Sequence, residues 1–213
     1  MRIAILTFDG FNEIDSFVAL NILNRVKQPG WRAEIACPAQ SVRSMNDVCI
    51  TAQRTLEFAN EADAVLIGSG RLTRKIMDDE AIMSRLRLDP RRQLLGSQCS
   101  GALILAKLGL LAALPACTDR STRPYLQATG VNVLERAFYC GGNVATAGGC
   151  LAAHYLATWI IWRAAGRAAA ESALSYVVPV GEEDRYISHA IRAVEPFINT
   201  GGQRINDPAA AAD

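Results

Sequence analysis

The sequence predicts an α/β domain built on a mainly parallel sheet with helices covering both faces. Three observations predict it. Short apolar runs alternate with helical stretches along the chain, as in folds where each strand is followed by a covering helix. The runs at 2–8 and 62–67 lack the polar alternation of a half-exposed strand, so both of their faces are expected to be buried. The loop to Asp15, the turn Gly68-Ser69-Gly70 and Cys99 all fall at the carboxyl ends of strand candidates, where open α/β sheets bind their ligands. The 213 residues suffice for one domain with a substantial core. It is assigned to residues 1–198, and 199–213, which contain Asp207-Pro208 and an alanine run, read as a disordered tail.

The elements follow in order. Residues 2–8 form a first strand, followed by a helix from about Asp15 to Lys27. Pro29-Gly30 turns the chain, and Trp31–Cys37 is a second strand. Residues 42–52 read as a short hairpin turning at Asn46-Asp47. The next strand, 62–67, ends in Gly68-Ser69-Gly70. Two polar helices lie between Leu72 and Leu88, stopped by Asp89-Pro90. Gln93–Ser97 is the strand leading to Cys99, and the very apolar helix Gly101–Lys107 must be buried. Two short strands fall within 131–146, and helices near 149–165, 167–176 and 184–195 complete the domain.

Composition narrows the function classes. Half of the residues are hydrophobic, 20% are charged and the net charge is +1, which gives no reason to expect nucleic acid as a partner. From Ala137 to Trp162 the chain carries no Asp, Glu, Lys or Arg. Glycine pairs interrupt this stretch, so strand, turn and core helix fit better than a membrane span. No basic leader with a small-residue cleavage site is recognised, and the expected location is the cytoplasm. Six cysteines without a Cys-x-x-Cys pair and two histidines give no zinc-ribbon or thioredoxin pattern and no His-rich site. The expected metal complement is none.

The chemistry-bearing stretch is Leu94-Leu95-Gly96-Ser97-Gln98-Cys99-Ser100-Gly101. An apolar strand runs into a cysteine with small residues two before and two after it, and an apolar helix follows. This is the pattern of a nucleophile elbow, in which a strained strand-to-helix turn pushes the side chain out of the core. The helix N-terminus is expected to favour the thiolate. The alternative for any free cysteine is a small buried hydrophobe, and that is the reading taken for Cys37, Cys49, Cys117, Cys140 and Cys150. Asp15 is either a first-turn or capping acid of its helix or a carboxyl group facing the thiol. Glu13 is a second candidate, read first as a solvated loop acid. Gly68-Ser69-Gly70 is a tight turn without the third glycine of a dinucleotide fingerprint. The Gly70 and Ser100 amides could form an oxyanion hole. The arginines at 71, 74, 85, 87, 91 and 92 are interspersed with acids and read as solvated helix faces. His154 reads as a core histidine and His189 as a surface one.

These residues resemble the ThiJ/PfpI superfamily of the class I glutamine amidotransferase-like fold, over roughly 2–180. The likeness rests on the first strand with its acid, Ile3 to Asp15, on the strand ending in Gly68-Ser69-Gly70 and on the elbow Ser97–Gly101. The Leu110-Leu111 pair and the segment Asn143–Gly149 also match. The resemblance implies a flavodoxin-like three-layer sandwich forming a homodimer. It implies Cys99 as reactive thiol, Asp15 as its acid, and the Gly70 and Ser100 amides as oxyanion donors. Aspartate at the acid position and a small hydroxyl residue after the cysteine are most similar to the isonitrile hydratase branch. A cysteine-dependent small-molecule hydratase or hydrolase is therefore expected, with Ser69, Thr118 and Asp119 lining its substrate site and no cofactor. Ser100 stands where the peptidase-like branch has histidine, Cys117-Thr118-Asp119 replaces a Thr-Thr-His segment, and the amidotransferase His-x-Glu is missing. Glyoxalase-like conversion of methylglyoxal, or a non-enzymatic ligand- or redox-sensing dimer, are the alternatives.

Overall fold

The computed structural model of the protein describes residues 1–199. The expected tail therefore lies outside the described residues, apart from Asn199. In chain order the elements are β1 (Arg2–Leu6), α1 (Glu13–Leu23), β2 (Arg32–Cys37), β3 (Ser41–Arg43), β4 (Cys49–Thr51), β5 (Arg54–Thr55), α2 (Phe58–Glu61), β6 (Ala64–Ile67), α3 (Thr73–Met77), α4 (Glu80–Met83) and β7 (Leu94–Gln98). A 3-10 turn at Cys99–Gly101 leads into α5 (Ala102–Lys107), followed by α6 (Arg123–Ala128), β8 (Phe138–Gly141) and β9 (Val144–Ala147). A second 3-10 turn, Cys150–Ala152, opens α7 (Ala153–Ala165), and α8 (Arg167–Ser175), α9 (Glu183–Val194) and a last 3-10 turn, Glu195–Phe197, follow.

The main sheet has seven strands in the order β5-β2-β1-β6-β7-β9-β8. Every pairing is parallel except β8 with β9. The expected flavodoxin-like α/β fold with a mainly parallel sheet is what the chain adopts. β3 and β4 form the expected hairpin. Strand period explains the two faces. Ile3, Ile5, Ala64 and Leu66 pack beneath α1, α7, α8 and α9, whereas Ala4, Leu6, Val65 and Ile67 pack beneath the layer holding α5 and α6. Both faces are dry, and so the strands read as unbroken apolar runs. α5 is buried along Ala102–Leu105, as expected. The charge-free stretch from Ala137 resolves into β8, β9 and the buried α7, and no helix of the described residues is long and apolar enough to cross a membrane.

Some elements were not foreseen. β5 has two residues and α2 four, too short for a pattern. α6 carries Pro124 in its first turn, a legitimate helix-start signal. α1 begins at Glu13, because the Asn12 side chain caps it by accepting from the Ile14 N–H at 3.2 Å; that carries Asp15 into the first turn.

The strand order reverses direction around β1, with β2 on one side and β6 on the other. This is the topological switch point where α/β sheets leave a crevice. The loop after β1 is fastened across it. The Asn12 N–H donates to Ser69 O at 2.9 Å and the Arg71 N–H to Gly10 O at 2.9 Å. A Cβ on Gly70 would stand 2.3 Å from Gly10 O, so only glycine permits the two loops to meet.

Candidate functional site

β7 delivers Cys99 to the crevice in a strained conformation. Its φ is +45°, in the left-handed region that a side-chain-bearing residue enters at a cost. The turn is pressed against the end of β6: a Cβ on Gly101 would lie 2.5 Å from Ile67 O and 2.9 Å from Gly68 O. The small residue two after the cysteine is therefore a steric requirement. Thr118 Oγ1 donates to the Cys99 carbonyl at 2.8 Å, tying the elbow to the loop before α6.

Asp15 reaches the same point from α1. It is 2% exposed, and one carboxylate oxygen, Oδ2, accepts a short hydrogen bond from the Ser69 hydroxyl. The other, Oδ1, is buried without a hydrogen-bond partner of its own. Glu13 points elsewhere, accepting from Ser44 Oγ at 2.5 Å and Asn46 Nδ2 at 3.0 Å. Those bonds hold its carboxyl below the ordinary value, with the Ser44 hydroxyl the largest contributor. Glu13 is thus a clasp between α1 and the β3–β4 hairpin, rather than a solvated loop acid.

A carboxylate oxygen of Asp15, the Cys99 sulfur and the Cys150 sulfur all lie within 4.8 Å of one another. Among the described residues this is the group of His, Cys, Asp and Glu side chains whose donor atoms are close enough to share a metal ion. Neither histidine joins it. His154 is half-buried with Nδ1 against Leu151 O, and His189 is exposed.

Two expectations about Cys99 are corrected. The elbow does not expose the side chain, which is 3% accessible, because the loops after β1 and β9 close over it. Nor is the thiolate favoured. Burial pushes the thiol far above its ordinary value, and the negative charge of Asp15 adds to this. The following α5 has only six residues, and its dipole does not offset that desolvation. Burial likewise raises the Asp15 carboxyl, and the Ser69 hydrogen bond only partly opposes it. The charge of Asp15 thus opposes ionisation of Cys99, whereas the thiol, as a hydrogen-bond partner, favours the Asp15 carboxylate.

Around this centre the other candidate residues take definite places. The Gly70 N–H donates to Ser100 Oγ at 3.2 Å, and that hydroxyl also meets Thr73 Oγ1 at 2.8 Å. Gly70, Thr73, Ser100, Thr122, Arg74 and Tyr125 are among the residues lining a recess of about 230 Å³. Thr118, Asp119, Gly148 and Gly149 border a second, of about 450 Å³. Asp119 Oδ1 accepts from the Ser121 hydroxyl at 2.5 Å and the Thr122 N–H at 2.9 Å. Burial pushes its carboxyl up, but these bonds outweigh the burial and hold it below the ordinary value. Asp119 therefore holds the turn that leads into α6 and adds negative charge near the pair.

Sequence reading missed three members of the site. Cys150 is half-buried, not a core hydrophobe, and accepts from Asn12 Nδ2 at 3.1 Å. Gln98 Nε2 donates to Gly149 O at 2.6 Å and faces the Cys99 sulfur at 3.5 Å. Asn12 both caps α1 and contacts Cys150. Only the pairing of β7 with β9 brings residues 98–99 beside 149–150, and no local pattern signals that. Of the other cysteines, Cys37, Cys117 and Cys140 are buried as expected, whereas Cys49 is exposed.

Comparison with known proteins agrees with this architecture. The family model described as the DJ-1/PfpI family matches residues 1–162. The chain belongs to the DJ-1/PfpI family. Among solved structures it is similar to a ThiJ/PfpI family protein from Pseudomonas syringae, with 20% identity, a TM-score of 0.74, and 93% of this chain and 88% of that one covered. It is also similar to Schizosaccharomyces pombe DJ-1, at 17% identity and a TM-score of 0.70, over 84% of this chain and all (100%) of that one. An oxidized form of Toxoplasma gondii DJ-1 matches at 18% identity and a TM-score of 0.71, covering 84% of this chain and 98% of that one. No curated protein matches the sequence.

Proposed function

We propose that the protein is a cysteine-dependent hydratase of small electrophiles, similar to isonitrile hydratases, with Cys99 as nucleophile and Asp15 as its proton relay. The observation that carries this reading is the approach of a buried carboxylate and a buried thiol within 4.8 Å, at the switch point of the sheet. A carboxyl group whose burial raises its pKa is a stronger base than a solvated one. It can accept the thiol proton as sulfur attacks, so a resting thiolate is not required.

For an isonitrile the atoms balance as follows. The Cys99 sulfur adds to the terminal carbon while Asp15 takes the thiol proton and passes it to that carbon, giving a thioimidate. Water then adds to the same carbon, losing a proton to Asp15, which passes it to the substrate nitrogen. The carbon–sulfur bond breaks, the thiol is restored, and an N-substituted formamide leaves. Ser69 holds the Asp15 carboxylate in place through their hydrogen bond. In this reading the Gly70 and Ser100 N–H groups receive charge developing on the substrate. The Gly70 N–H already donates to the Ser100 hydroxyl, so the Ser100 side chain must rotate away to free it. Thr118 and Asp119, which border the recess of about 450 Å³, are assigned to substrate binding. The substrate in this reading is a small molecule, and the protein works without a cofactor, as a homodimer.

The test is formamide production from a simple alkyl isonitrile, followed by NMR. Turnover that persists undiminished in Cys99→Ala sinks the mechanism. The absence of any turnover in the wild type sinks the substrate. Lactate from methylglyoxal without glutathione would transfer the assignment to glyoxalase-like chemistry at the same thiol.

A further inference from the structure

The mechanism above leaves Cys150 unused, although its sulfur lies within 4.8 Å of both the Cys99 sulfur and an Asp15 carboxylate oxygen. We propose that Cys99 and Cys150 form a reversible intramolecular disulfide when the protein meets a hydroperoxide, and that this bond takes the nucleophile out of action. The inference does not depend on the isonitrile reading, because it rests on the positions of the two sulfurs.

Four observations carry it. The sulfurs lie within 4.8 Å of each other, so side-chain rotation and a small loop shift would bring them to the roughly 2 Å of a disulfide. The backbone supports the approach: β7 and β9 are hydrogen-bonded neighbours with Gln98 opposite Ala147, and each cysteine opens a 3-10 turn just past its strand. The β9 turn has room beside it, since no atom lies within 4 Å of the position of an added Cβ on Gly149. Finally, the pair is asymmetric. Cys99 is buried, whereas Cys150 is half-buried beside the exposed Gly149 and Leu151, so one cysteine is sheltered and the other borders solvent.

Amides are aimed at both sulfurs: Asn12 Nδ2 at Cys150, 3.1 Å, and Gln98 Nε2 at Cys99, 3.5 Å. Such donors support negative charge on sulfur. In the first step the Cys99 sulfur attacks one peroxide oxygen, the O–O bond breaks, and the alcohol or water leaves carrying the thiol proton, relayed by Asp15. Cys99 is then a sulfenic acid, oxidised by two electrons, and the peroxide is reduced by two. In the second step the Cys150 sulfur attacks the Cys99 sulfur, and the S–O bond breaks. Hydroxide leaves as water with the Cys150 proton, and the disulfide remains. A small external dithiol reverses the process by exchange and is itself oxidised to a disulfide. Without Cys150, the sulfenic acid is open to further oxidation to the irreversible sulfinic acid.

The experiment uses the full chain and hydrogen peroxide, with peptide mass mapping under non-reducing conditions and a free-thiol count. The expected wild-type product is a linked Cys99–Cys150 peptide lacking two hydrogens, with loss of two free thiols per chain, both recovered with dithiothreitol. Cys150→Ser is expected to yield Cys99 sulfinic acid, which dithiothreitol does not reverse. Conversion of wild-type Cys99 to sulfinic acid while Cys150 stays a free thiol overturns the proposal, and needs no variant to fold. An identical time course of sulfinic acid formation in wild type and Cys150→Ser overturns it as well.

Discussion

The Thr118 hydroxyl donates to the carbonyl of Cys99 at 2.8 Å, and that bond holds the strained elbow at its far side. Thr118 enters this loop next to Gly148, where a Cβ would stand 2.3 Å from the Thr118 carbonyl. Thr118→Val keeps the shape and removes the donor, leaving the Cys99 carbonyl with the Ala102 N–H alone. The variant should lose about 1 kcal/mol of stability in urea denaturation, together with a larger fall in kcat than in KM, because the sulfur is no longer held in line.

Cys99 is held at φ +45°, so any residue with a Cβ pays for that conformation. Cys99→Gly should therefore be more stable than Cys99→Ala by about 1 kcal/mol, although glycine leaves the larger void. Parallel chemical denaturation of the two variants checks this. The opposite order would mean that the elbow relaxes when the thiol is gone.

Asp15→Asn should stabilise the fold while abolishing activity. The Asp15 carboxyl is raised from its ordinary 3.8, by burial above all. A group raised on folding contributes stability below its unfolded value and loses that contribution as pH climbs through its folded value. At neutral pH the wild type therefore bears the cost of a buried charge that asparagine avoids. The expected gain is about 1 kcal/mol near neutrality, shrinking as the pH falls towards 3.8 and the wild-type carboxyl becomes neutral. Denaturation midpoints across that range measure it, and a gain that does not shrink in acid would contradict the assignment.

Gly101→Ala places a methyl group against two backbone carbonyls of the β6 end, at 2.5 and 2.9 Å. Backbone cannot yield as a side-chain tip can. A loss of about 2–3 kcal/mol is expected, with disordered amide signals at Gly68 and Cys99 in NMR spectra of whatever folds.

Much of this architecture is legible in the chain because buried parallel strands leave unbroken apolar runs, and β6 and β7 end in turns whose small residues are sterically required. Gly70 and Gly101 are the clearest cases. The choice between Glu13 and Asp15 was not legible. Side chains two apart on a helix point about 200° from each other, and only the cap at Asn12 decides which one faces the thiol. The state of Cys99 was misread for a related reason. The elbow motif describes the local backbone, whereas burial of the sulfur comes from the loops after β1 and β9, remote in sequence. Cys150 entered the site through strand pairing alone.

The most direct test of the central claim, that Cys99 rests as a thiol whose ionisation is opposed by the charge of Asp15, is the pH dependence of Cys99 alkylation. A small haloacetamide, with adducts mapped to Cys99, reports the thiolate in wild type and in Asp15→Asn. Slow reaction is expected through neutral pH in the wild type, rising only in alkali, with a titration displaced to lower pH once the Asp15 charge is removed. A wild-type thiolate already formed at neutral pH, or an unmoved titration in Asp15→Asn, would contradict it.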